Sequence, residues 1–273
     1  VTLLFASRWF AGIAGYALSQ SALIASLLAP PSVHATDRLA QARTTPAACT
    51  AGQAKAGTRV LLFTRTKGFR HSSIPKGIAA VRSLGTRHGF AVEATEDPAF
   101  FTDSTLRRFS SVVFLSTTGD VLDDSQQSAF ERYIRRGGGY VGVHAASDTE
   151  YEWPWYGRLV GAYFRSHPAT QPATVDVVSR AHPATRCLPA RWTRRDEWYD
   201  FKAQPVKGTT VLATLDESTY RGGRMGKLHP VIWYHRFDGG RSFYTELGHT
   251  DESYTEPAFL THLAGGIVWA STR

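Results

Sequence analysis

Short, wholly apolar runs alternate with segments of helical spacing, and this alternation limits the chain more than anything else in it. RVLLFTR (59–65), SVVFLST (111–117) and YVGVHA (140–145) each read as a buried strand. IAAVRSL (78–84) has helical spacing, with Pro75 suited to a first helical turn and Gly89 to a stop. FAVEAT (90–95) alternates as a strand does, and LRRF (106–109) reads as a short helix or turn. Asp123 and Asp124 cap a helix through QQSAFERYIRR (126–136). Its acids lie at the start and its arginines at the end, as the helix dipole prefers. Gly137-Gly138-Gly139 ends that helix; it precedes a strand and has no following Lys-Ser/Thr, so it is not a phosphate loop. The order β-α-β-turn-β-α-β implies a parallel sheet covered on both faces. Such sheets bind ligands beyond the carboxyl ends of their strands. Here those ends are Arg65 to His71, Thr117 to Asp120, and His144 to Glu152.

The second half has more strand character. ATVDVVS (173–179), TTVLATL (209–215), PVIWYHRF (230–237) and RSFYTELGH (241–249) read as strands, with Asp238-Gly239-Gly240 as a hairpin turn. PAFLTHLAGGIVWAS (257–271) reads as a closing helix. No internal repeat is present, and the chain after residue 58 reads as one domain.

Arg8 followed by the apolar run Trp9–Ala29, Pro30-Pro31 and Val33-x-Ala35 predicts a secretory signal over residues 1–35, cut after Ala35. The run is also just long enough for an uncleaved anchor, but the Pro-Pro break favours cleavage. Residues 36–57, rich in Ala, Thr, Gln and Gly, read as a flexible tether, and residues 58–273 as the domain. These features predict an exported protein, secreted or held in the cell envelope, with no membrane contact after cleavage. Cys49 and Cys187 could pair in such a compartment, and two cysteines are too few for a Cys-based metal site. The net charge of +8 comes from scattered arginines with no dense basic run, so the sequence gives no sign of a nucleic-acid partner.

Six motifs occur in order: Gly68-Phe69-Arg70-His71; Gly137 through Asp148; Gly161-x-x-Phe164-x-x-His167-Pro168; Asp196-Glu197-Trp198-Tyr199; His229-Pro230-Val231-x-Trp233; and Gly240-Arg241-x-x-Tyr244-x-x-Leu247-Gly248-His249-Thr250. Together they resemble the trehalose-utilisation, or ThuA-like, family from about residue 58 to the C-terminus. The resemblance implies the fold of class I glutamine amidotransferases. That fold is a flavodoxin-like three-layer α/β sandwich with a mostly parallel central sheet, and here extra antiparallel strands join its C-terminal half. It also implies a role in carbohydrate metabolism, with a small-molecule carbohydrate as partner. The amidotransferases place a cysteine nucleophile on a sharp turn after a strand. Here Gly142-Val143-His144-Ala145 occupies that turn, while His249-Thr250-Asp251 keeps the His-x-acid pattern. Without the thiolate, glutamine hydrolysis is not expected.

His71, His144 and His249 sit on three strand ends. They could hold a divalent transition metal such as zinc, completed by Asp148, Glu197 or Asp251. They could instead act as acid and base on a sugar, with His144 and His249 central, Asp251 orienting His249, and Asp148 and Glu197 on hydroxyls. Each histidine alone could also be a hydrogen-bonded structural group. A hydrolase or isomerase is the first expectation, and a non-catalytic carbohydrate-binding module the alternative. Trp153, Trp155, Trp198 and Trp233 are candidate sugar platforms, or equally core residues. Pro154 argues against a long helix at Trp153–Tyr156, which suits a lid or wall. His167-Pro168, His182-Pro183 and His229-Pro230 read as loop punctuation, although His229 could face the pocket.

Overall fold

A computed structural model describes residues 49–272 of the chain. The expected signal segment and most of the tether lie outside these residues. Strand β1 (Arg59–Phe63) leads to helix α1 (Ile74–His88), which opens with Pro75 in its first turn and ends at Gly89. Then come β2 (Ala91–Thr95), the one-turn α2 (Asp103–Leu106), β3 (Ser111–Leu115), α3 (Asp124–Arg135) and β4 (Gly139–Val143). The start of α3 is fixed by a capping box between Asp123 and Gln126. Trp153 precedes α4 (Pro154–Val160), a helix of only seven residues that opens with Pro154. The remaining elements are β5 (Phe164–Ser166), β6 (Gln171–Val177), β7 (Arg191–Asp196), β8 (Asp200–Phe201), β9 (Thr210–Asp216), β10 (Pro230–Phe237), β11 (Gly240–Thr245) and α5 (Pro257–Ala270).

Nine strands form one sheet in the order β2-β1-β3-β4-β11-β10-β9-β6-β7, and β5 pairs separately with β8. The strands from β2 to β11 run parallel, and those from β11 to β7 antiparallel. The change of sense occurs at the β10–β11 hairpin. Its two-residue turn, Asp238-Gly239, has both φ angles positive (48° and 93°), which Asp-Gly tolerates. Val60, Leu62, Val113, Leu115, Val141 and Val143 pack on one face with Val81 and Leu84 of α1 and Leu263 and Ile267 of α5. On the other face, Leu61, Phe63, Val112 and Phe114 meet Phe130 and Ile134 of α3 and Leu159 of α4. Strands buried on both faces need apolar side chains at consecutive positions, so this is why the short apolar runs carry no polar alternation.

The segment just before β1 is packed. A disulfide joins Cys49 to Cys187, Ala51 is buried, and the Ala54 N–H donates to the His88 carbonyl at 2.8 Å. Among the described residues, no helix is long and apolar enough to cross a membrane.

Candidate functional site

Three loops from the carboxyl ends of parallel strands converge. His144 follows β4 directly and takes φ 54°, a left-handed conformation uncommon for a residue with a Cβ. The turn after β4 is thus sharp, and a histidine stands on it. His249 follows β11, the neighbour of β4. His71 follows β1, which β3 separates from β4. The loop after β1 is drawn across the end of β3 by Thr118. The Thr118 carbonyl accepts the Lys67 N–H at 2.7 Å, and its hydroxyl donates to the Phe69 carbonyl at 2.8 Å. The fourth member, Glu197, comes from the end of β7 at the far edge of the sheet. The chain turns back there, and the Tyr199 N–H donates to Glu246 Oε1 at 2.6 Å.

His71 Nε2 lies 3.1 Å from His144 Nε2, and His249 Nδ1 lies 3.2 Å from it. Glu197 Oε2 lies 3.2 Å from His249 Nδ1 and 3.5 Å from His144 Nε2. The ring planes stand steeply to one another: 84° for His71–His144, 89° for His71–His249 and 69° for His144–His249. His144 Nδ1–H donates to the Glu246 carbonyl at 2.8 Å, which leaves Nε2 of the neutral ring with one lone pair. That lone pair faces His71, His249, Glu197 and the Tyr199 hydroxyl, itself 3.0 Å away. One acceptor cannot serve so many partners, whereas a cation at the centre satisfies three imidazole nitrogens and a carboxylate together. Tetrahedral zinc with bonds of about 2.0–2.1 Å sets neighbouring donors roughly 3.3 Å apart. Four of the pairs here lie at 3.1–3.5 Å, and all four donor atoms lie within 4.8 Å of one another.

The electrostatics follow from burial and contact. Burial, then the neighbouring His144 and His249, push the His71 imidazole down to about 3. Burial opposes ionisation of Glu197, but the adjoining His144 and His249 imidazoles outweigh it and hold the carboxyl far below its usual range. Burial likewise disfavours the charged His249, yet the hydrogen bond to Glu197 raises its imidazole above the ordinary value. Asp148 is raised by burial, partly offset by the Tyr151 hydroxyl at 2.7 Å.

The cluster opens into a cavity of about 310 Å³ lined by Phe69, His71, Asp148, Phe164, His167, Glu197, Tyr199 and His249. Of the residues expected from sequence, His71, His144, His249, Glu197 and Asp148 come together here. Asp251 does not orient His249; it pairs with Lys76 at 3.1 Å, and Glu197 takes that place. The four tryptophans are core residues, not platforms. Their indole N–H groups donate to Glu131 (Trp153), Asp238 (Trp155), Gln171 carbonyl (Trp198) and Val160 carbonyl (Trp233). His229 is also buried, between Glu217 and the Tyr199 carbonyl. Conversely, His167, whose pairing with Pro168 suggests loop punctuation, lines the cavity, 3.1 Å from Glu197 Oε1. Tyr199, Phe164 and Phe69 also line it; in the sequence, membership of the ordered motifs is the signal that points to them.

The family model for trehalose utilisation, ThuA, matches residues 59–270. This chain belongs to the ThuA family. Among solved structures it is similar to a ThuA-like protein from Bacteroides uniformis, at 24% identity over 80% of this chain and 94% of that one, with a TM-score of 0.68. A second ThuA-like protein, from Parabacteroides merdae, aligns at 21% identity over 80% and 91% of the two chains, with a TM-score of 0.67. A β-galactosidase from Bacillus circulans is more distant, at 13% identity and a TM-score of 0.51, over 80% of this chain and 31% of that enzyme. At these identities the likeness is one of fold. No curated protein matches. The ThuA match spans every strand that brings a residue to the cavity.

Proposed function

We propose that this ThuA-family protein is a metal-dependent enzyme acting on a carbohydrate, as a hydrolase or isomerase. His71, His144, His249 and Glu197 hold a divalent transition metal, with zinc the first candidate because imidazole donors in a tetrahedral set suit it. The observation that carries this reading is the single lone pair of His144 Nε2 facing four polar groups at 3.0–3.5 Å. A bound metal would polarise a substrate oxygen or activate a water taken on as a fifth ligand. Asp148, in the cavity wall with a carboxyl raised by burial, is the acid or base beside it. The carbohydrate rests on the family's description. An exported location is supported by the apolar N-terminal run and by the Cys49–Cys187 disulfide, which needs an oxidising compartment.

Elemental analysis of the purified protein before and after chelation tests the metal. Near-stoichiometric zinc, lost in His71→Ala and His144→Ala with the fold intact, is the expected result. Folded protein without metal under zinc-replete conditions would remove the metal from this reading. Turnover of a sugar panel by wild type and His249→Ala then separates an enzyme from a binding module. Loss of turnover marks the enzyme, while weaker binding with no turnover in either protein marks the module.

A further inference from the structure

Asp196 is fully buried and does not line the cavity, yet four donors point at its carboxylate. Oδ1 accepts the backbone N–H of His249 at 3.0 Å and of Glu197 at 3.1 Å. Oδ2 accepts the N–H of Gly248 at 3.0 Å and lies 3.1 Å from the Arg194 guanidinium. Gly248 takes φ 119°, so the turn that presents its amide and that of His249 to one carboxylate is open to glycine and strained for other residues. Arg194 is fixed in turn. It donates to the Ser253 hydroxyl at 2.7 Å, and its guanidinium lies over the rings of Trp192 and Phe259 at 4.7 and 5.0 Å. The counter-charge is therefore held in place beside a carboxylate whose two oxygens face all four groups.

Two of the four ligands proposed above, His249 and Glu197, come from distant parts of the chain and hang from this one carboxylate. We propose that Asp196 is the positioning residue of the site: it sets His249 and Glu197 at ligand spacing before any metal arrives. This inference rests on the metal-centre reading. It extends that reading to a residue that touches neither metal nor substrate.

The test compares wild type, Asp196→Asn and Asp196→Ala in the full chain, with zinc affinity measured by chelator competition beside the thermal midpoint. Asparagine can keep one acceptor but turns an NH2 towards donors, and alanine removes both acceptors. Outer-shell partners of metal ligands typically hold about 10–100-fold of metal affinity. A loss of that size is expected for Asp196→Asn, with a larger loss for Asp196→Ala and an altered absorption spectrum when cobalt replaces zinc. A residue that only stabilised the fold would lower the midpoint and leave the affinity and cobalt spectrum of the folded protein unchanged; that result overturns the proposal. Amide hydrogen exchange in metal-stripped wild type decides the matter if neither variant folds. Slow exchange at Gly248 and His249, comparable with the β11 core, supports positioning in advance, and fast exchange there overturns it. Wild type that takes up no zinc refutes the metal centre, while the exchange result still judges the role of Asp196.

Discussion

Phe69 and Trp233 show how differently two large aromatic side chains can be used on one chain. Phe69 is 68% exposed at the cavity mouth, with its ring edge-on to His71 at 4.9 Å. Trp233 is fully buried, stacked on Tyr244 at 4.4 Å, and its indole N–H donates to the Val160 carbonyl at 2.8 Å. Replacing Phe69 with alanine removes little buried area, so stability should change by no more than about 0.5 kcal/mol. Ligand affinity should fall several-fold, because the ring is the apolar lip of the cavity. Trp233→Phe should do the reverse. It strands a buried carbonyl, at a cost of about 1–3 kcal/mol, and leaves affinity per folded molecule unchanged. Urea unfolding beside ligand titration of both variants checks the pair; an affinity loss in Trp233→Phe at constant stability would return that tryptophan to the site. The sequence could not separate these cases, because an aromatic residue within a motif does not say whether its face is free. It did mark the three histidines, since each follows a strand whose apolar run ends abruptly. His167 was illegible for the opposite reason: the β5–β8 pairing and the turn after β7 bring it to Glu197, and neither leaves a pattern near His167.

The central strands were readable because burial on both faces leaves only apolar residues, and the capping residues of α1 and α3 marked the helices between them. β7 was missed. Its sequence, RWTRRD, alternates exposed and buried positions, but its buried side carries Trp192, Arg194 and Asp196. An Arg-Asp pair inside the protein looks, in sequence, like a solvated charged segment. That failure falls where the site is built, because β7 ends at the carboxylate holding the His249 loop. Packing between elements also sets a demand that composition does not reveal. A Cβ at Gly139, the first residue of β4, would sit 2.1 Å from the Ala270 carbonyl oxygen at the end of α5. Both sides of that contact are backbone, so neither can yield by a rotamer change. Gly139→Ala should therefore destabilise the fold by about 1–3 kcal/mol, as overpacked cores do. Chemical denaturation measures this directly, and an unchanged midpoint would mean that α5 is free to shift away from the sheet.

Across the whole molecule, the histidines outside the site carry a second consequence of burial. His182, His235 and His262 all lie in the interior. Burial pushes His262 down to about 4 and, helped by the nearby His262, pushes His182 down to about 3; it lowers His235 as well. His262 is held neutral between the Ala184 carbonyl (2.9 Å) and the Thr245 hydroxyl (3.0 Å). A histidine depressed from 6.5 binds a proton more readily in the unfolded chain. Its contribution to stability is therefore complete above that value and is lost as pH falls from 6.5 towards 4, at up to about 1.4 kcal/mol per pH unit. Two carboxyls act in the other direction. Burial raises Glu150 to about 7 and Glu246 well above its usual range, so their contribution falls as pH rises through the same window. The total stability curve is accordingly flatter than the histidines alone would make it, and the informative quantity is a difference between proteins. In metal-stripped protein, wild type should exceed His262→Gln in unfolding free energy at pH 7.5. The gap should shrink by about 2 kcal/mol on going to pH 5, since only wild type gains a proton at this position on unfolding. A gap that stays constant over this range would mean that His262 titrates alike in the folded and unfolded chain, and that the interior around α5 admits water.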